Sequence, residues 1–184
     1  MGFEESIIRN AAPTLAGIKV ANLYNYHFKN KSESVNFIGQ INGQLNKKGI
    51  YVELMKNCGD FYLLYVYRRS QLQKEIEKPE IRQFLGEYGY TYDDCLQCLN
   101  MLRKRIETSD CFPHEIGVFL GYPIKDVKAF IEKKGKEAVM CGEWKVYYDV
   151  QEAMCFFCKL KKCKEVYAKV YHTGRSIYDM TVSA

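Results

Sequence analysis

Two Cys-x-x-Cys pairs, Cys95 with Cys98 and Cys155 with Cys158, and three histidines are the residues here whose types and spacing suit chemistry. A four-cysteine zinc site needs both pairs to meet, with sulfurs about 2.3 Å from the metal. Both pairs fall inside segments that read as helix, whereas zinc knuckles place such pairs on turns, so no metal centre is expected. On a helix of about 100° per residue, Ala153, Phe156, Leu160, Cys163, Tyr167 and Val170 make an apolar stripe, and Cys155 and Cys158 fall with Lys162 and Lys169 on the other side. Lys159 and Lys162 stand four residues beyond each thiol, where an ammonium favours the thiolate. Cys155 and Cys158 are therefore the candidate redox thiols. A thioredoxin-type pair would instead open a helix after a strand, so incidental surface thiols are the competing reading.

His114 follows Pro113 and precedes Glu115 at a helix start, where exposed backbone N–H groups favour an anion and an imidazole can exchange a proton. A capping role is the simpler alternative. His27 and His172 have no partner pattern. Lys19, Arg68, Lys145 and Tyr147 interrupt apolar strand-like segments and suit the lining of an anion-binding cleft, against the alternative that they snorkel to the surface. No phosphate loop, dinucleotide fingerprint, nucleophile elbow or paired-carboxylate motif is present, which argues against ATPases and Rossmann oxidoreductases.

The elements that must position these groups follow from periodicity. Glu4 to Arg9 reads as a short helix ended before Pro13, and Gly17 to Tyr26 alternates as a strand. Ser32 is the expected cap of a helix over Glu33 to Asn46. IYVELMK and FYLLYVYR, separated by NCGD, predict a hairpin. Helices follow over Ser70 to Lys78, Pro79 to Tyr88 and Tyr92 to Thr108, the last carrying Cys95, Leu99, Leu102 and Ile106 on one face. EWKVYYDV (143–150) reads as a strand and Gln151 to Tyr171 as a long final helix. This order predicts an α+β fold over 1–184 as a single domain, with a small mixed sheet of roughly four strands under about seven helices.

The segment 113–134, PHEIGVFLGYPIKDVKAFIEKK, has the form of a helix-turn-helix. Gly117 allows close helix packing, Gly121 suits a left-handed turn, and Ile116, Leu120, Val127 and Phe130 face inward. As a nucleic-acid reader it would present Lys125, Lys128 and Lys133, but Asp126 in the first turn of the second helix opposes a phosphate. A structural helical hairpin is the preferred reading.

Composition bounds the rest. The 184 residues carry 27 Lys and Arg against 22 Asp and Glu, a net charge of +5 that permits an anionic partner without requiring one. Hydrophobic residues reach 47%, with 15 Tyr and 10 Phe, which is globular rather than disordered. No apolar run suits a membrane span and MGFEESIIRN lacks a signal-sequence pattern, so a cytoplasmic protein with eight reduced cysteines is expected. Gly2 and Ser6 match a myristoylation spacing that short chance matches also produce.

The blocks PTLAGIKVANL, LLYVYR, FPHEIGVFLGYPIKDVKAFI and GEWKVYYD, in this order, resemble the bacterial family catalogued as domain of unknown function 3793, found mainly in anaerobic bacteria. The likeness runs from Ile7 to about Tyr178. Members commonly read His-Cys-Ser/Ala-Pro-Thr-Leu-Ala-Gly near the N-terminus; here Asn10 and Ala11 hold the His and Cys positions, while Pro13, Thr14, Gly17 and Lys19 match. The resemblance implies membership but no reaction, and the family's frequent place near flavodoxin-like genes implies a redox setting.

The resulting expectation is an accessory protein of anaerobic redox or metal metabolism that binds a small anionic ligand or a protein partner such as a flavodoxin-like redox protein. Its pocket is expected around Thr14, Lys19, Arg68, His114, Glu115 and Lys145, with no cofactor assigned. The alternatives are a nucleic-acid-binding regulator using 113–134, or an enzyme with an unfamiliar active site around His114.

Overall fold

The computed structural model describes residues 2–91, 94–109 and 111–183. The class is α+β, as the sequence predicts. The chain divides into two compact units, Met1–Leu72 with Cys163–Ala184, and Gln73–Lys162.

The first unit contains α1 (Phe3–Leu15), β1 (Ala21–Tyr26), α2 (Lys31–Leu45), β2 (Ile50–Cys58) and β3 (Phe61–Arg68). The sheet order is β1-β3-β2, antiparallel throughout. Central β3 is buried from Tyr62 to Arg68, which is why its sequence is a nearly continuous apolar run instead of an alternation. Successive side chains point to opposite faces. Tyr62, Leu64 and Val66 join Phe3, Ile7 and Leu15 of α1 and Ile41 and Leu45 of α2 in one core. On the other face the Tyr65 and Tyr67 rings stack at 5.1 Å, and the Tyr67 hydroxyl donates to Glu53 at 2.6 Å. The NCGD hairpin forms as predicted, with the Gly59 N–H donating to Asn57 Oδ1 at 3.1 Å.

In the first unit, a helix end, a strand start and a helix cap differ from the sequence reading. The helix predicted to stop before Pro13 runs to Leu15 with Pro13 inside it. Pro13 lies in the last turn, and the helix is held by burial of Phe3, Ile7, Ile8, Ala11 and Leu15, so packing overrides a local breaker. The first strand starts at Ala21 because the N–H groups of Ile18 and Lys19 both donate back to the Pro13 carbonyl, at 2.9 and 3.1 Å. The cap of α2 is Asn30 rather than Ser32, its Oδ1 accepting from the Glu33 N–H at 2.9 Å.

After β3 the chain continues through α3 (Arg69–Ile76), α4 (Pro79–Glu87), α5 (Cys95–Thr108), α6 (Ile116–Phe119) and α7 (Ile124–Glu132). The predicted start of α5 at Tyr92 lies outside the described residues. Its predicted face is the buried one, with Cys98 added to Cys95, Leu99, Leu102 and Ile106. β4 (Met140–Cys141) and β5 (Lys145–Val146) form a separate two-stranded ribbon, so the strands make two antiparallel sheets rather than one mixed sheet of four. The strand predicted over 143–150 shrinks because the N–H groups of Tyr147 and Tyr148 donate to the Asp126 carboxylate, at 2.9 and 3.1 Å, and leave the ladder. Asp149, at φ 40°, then turns the chain into α8 (Val150–His172), which is followed by α9 (Ile177–Met180).

The α6–α7 corner carries the features the sequence suggests: Gly121 is left-handed at φ 72°, and a Cβ on Gly117 would lie 2.8 Å from Val127 Cγ2. Valine is stiff at χ1, so it cannot swing aside cheaply. Gly117→Ala is expected to lower stability by about 1–2 kcal/mol, read by chemical denaturation. The first helix is a single turn of four residues.

Candidate functional site

A cavity of about 390 Å³ opens in the second unit between the α6–α7 corner and the ribbon. Ile116, Gly117 and Val127 form its apolar wall, and the rings of Phe112, Tyr122, Phe130 and Trp144 surround it. Trp144 sits between the Tyr122 ring, 5.1 Å away and tilted by 32°, and the edge of Phe157 at 4.6 Å. Its orientation is fixed by a hydrogen bond from Nε1 to Asp126 Oδ2 at 2.8 Å. Asp126 is 3% exposed and stands in the first turn of α7, where the helix dipole favours its charge. One carboxylate thus holds the indole, the end of β5 and a helix start together. Burial pushes the Tyr122 hydroxyl up to about 12, with the Glu143 charge adding to the effect.

Beside Asp126, His114 and Lys145 bring polar groups to this cavity. The exposed His114 ring meets the Phe130 edge at 5.1 Å. Lys145 Nζ donates to the Gly135 carbonyl at 2.7 Å and lies 5.9 Å from the Phe130 ring centre. Cys141 adds an exposed thiol to the lining.

Two of the six residues expected to form one pocket are thus together, and the others are placed differently. Glu115 is buried beside His114 and takes Arg105 Nε at 2.6 Å and the Tyr90 hydroxyl at 3.2 Å. Burial, then the Glu115 charge, raises the Tyr90 pKa well above its ordinary value. Thr14, Lys19 and Arg68 belong to the first unit. Thr14 Oγ1 donates to Asn22 Oδ1 at 2.8 Å, and Lys19 is buried in the turn after α1. Arg68, 1% exposed, donates to the carbonyls of Thr14, Leu15 and Val182 at 2.6, 2.6 and 2.7 Å. Burial lowers its pKa, with Tyr167 acting in the opposite sense. It clamps the end of α1 to the C-terminal segment rather than presenting its charge to a ligand.

Asp126, whose carboxylate the sequence sets against a phosphate at the start of the second helix, is internal. Of the lysines on that segment, Lys125 pairs with Asp149, Lys133 pairs with Glu137 at 3.1 Å, and Lys128 lies 5.6 Å from the Phe84 ring centre. The aromatic density of 112–148 was the available signal for the cavity, but no period marks which rings converge.

Cys155 and Cys158 are exposed on α8 as the stripe predicts, while Cys95 and Cys98 are buried on α5. Among the described residues no three His, Cys, Asp or Glu side chains are grouped to hold a metal ion. Asn10 donates to the Ser6 carbonyl at 2.8 Å and Ala11 lies in the core. Among the described residues no helix is long and apolar enough to cross a membrane.

No curated protein and no solved structure matches the chain. A family model described as "Protein of unknown function (DUF3793)" matches residues 7–181. Covering nearly the whole sequence, this match shows that the chain belongs to that family.

Proposed function

We propose that this protein is a small-ligand-binding accessory protein whose site is the aromatic cavity of the second unit. The observation that carries this reading is the cavity itself, about 390 Å³ and walled by four aromatic rings, with His114, Asp126 and Lys145 among its lining. Ligand sites are concave, mostly apolar and furnished with a few convergent polar groups, in volumes of roughly 300–1,000 Å³. Asp126 supports the reading by holding the indole in place before any ligand arrives, which reduces the ordering cost of binding.

Trp144 is the one tryptophan in the chain and lines the cavity, so its emission reports occupancy directly. Titration with the neutral fluorophore N-phenyl-1-naphthylamine is expected to quench Trp144 saturably at one probe per chain. Cys141→Phe, which adds a ring at an exposed lining position, is expected to weaken binding at least tenfold. Quenching that ignores Cys141→Phe would overturn the assignment.

A further inference from the structure

We infer that the ligand class taken by this cavity is an aromatic anion, a flat ring system bearing one carboxylate, sulfonate or phosphate. The inference rests on the cavity being a ligand site and adds the charge and shape of the occupant. Shape comes from the rings. Trp144 and Tyr122 are tilted by only 32° to one another, and Phe130 offers a further ring, so the walls favour a planar body through stacked and edge contacts.

Charge comes from what the lining exposes. Five aromatic rings, counting His114, would by themselves suit a cation as well as a neutral ring. The cavity already contains a cation, however: the Lys145 ammonium lies over Phe130 at 5.9 Å. An ammonium has three N–H donors. The Gly135 carbonyl accepts one of them at 2.7 Å. Among the described residues the lining has one carboxylate, Asp126, and its two oxygens accept from Trp144 Nε1 and from the N–H groups of Tyr147 and Tyr148. Glu143, whose charge acts on Tyr122, is not part of the lining. A cationic ligand would meet the ammonium of Lys145 and a carboxylate already satisfied by three donors. An anionic ligand would meet Lys145 and the exposed imidazole of His114, with its rings against Trp144 and Phe130.

The test uses a pair of probes with the same ring scaffold, 1-anilinonaphthalene-8-sulfonate and the neutral N-phenyl-1-naphthylamine. The sulfonate is expected to bind at least tenfold more tightly than the neutral probe at low salt. Lys145→Met should remove about that advantage, and Lys145→Arg should retain it. Equal affinities for the two probes, or an advantage that survives Lys145→Met, would overturn the anion assignment while leaving the cavity reading intact. Failure of both probes to quench Trp144 saturably would overturn both.

Discussion

Replacing Arg68 by methionine is expected to destabilise the protein by about 3–5 kcal/mol, among the larger effects of a single substitution. Methionine keeps much of the apolar stem but donates nothing. The guanidinium bonds to Thr14, Leu15 and Val182 are charge-assisted, worth about 1.5–3 kcal/mol each in isolation and less than additive together. Two of the three carbonyls keep a second donor, since the Gly17 N–H also reaches Thr14 and the Val182 N–H also reaches Leu15. The loss therefore falls most heavily on the C-terminal segment. Lys48 Nζ, bonded to the Thr181 carbonyl at 2.8 Å, is a second tie to that segment. Arg68→Met should accordingly lower the denaturation midpoint and speed amide exchange at Val182 in particular. Unchanged exchange there would show that the guanidinium does not hold the tail. Arg68→Lys should recover little, because an ammonium cannot reproduce the planar fork that reaches three carbonyls.

Removal of the Asp126 carboxylate is the second large effect. Asp126→Ala leaves the indole N–H and the N–H groups of Tyr147 and Tyr148 without this acceptor, at an expected cost of about 3–4 kcal/mol. Asp126→Asn is expected to cost about 1–2 kcal/mol, since one oxygen can still serve the two backbone groups while the amide donor faces Trp144 Nε1. Denaturation followed by Trp144 emission gives both numbers. In the folded Asp126→Ala variant the emission should shift to the red, and both naphthalene probes should bind more weakly as the ring loses its fixed orientation. Emission and probe affinity equal to those of the unsubstituted protein would show that Asp126 does not position the cavity wall.

These two residues also mark where sequence reasoning stopped. Periodic features were legible because they arise within one element. The buried stripe of α8, the inward face of α5 and the β2–β3 hairpin each repeat every 3.6 or 2 residues or carry turn chemistry at a fixed offset. Gly117 and Gly121 were legible for the same reason, since a close approach and a left-handed turn between adjacent helices are local demands. His114 and Lys145 were recognised as candidate ligand contacts, and both do line the cavity.

Local pattern alone was enough for the class of the fold, most helices, the three strands of the main sheet and the exposed thiols of α8. The roles of the charged residues emerged from packing between distant segments. Arg68 looked like a ligand contact and instead bonds across 114 residues to Val182; Glu115 lies beside His114 but turns to Arg105 and Tyr90. Asp126 stood out only as a charge opposing phosphate and is the bracket for Trp144, Tyr147 and Tyr148. A charged side chain has no period to betray its direction, and whether it meets water, a carbonyl or a ligand depends on which distant segment packs against it.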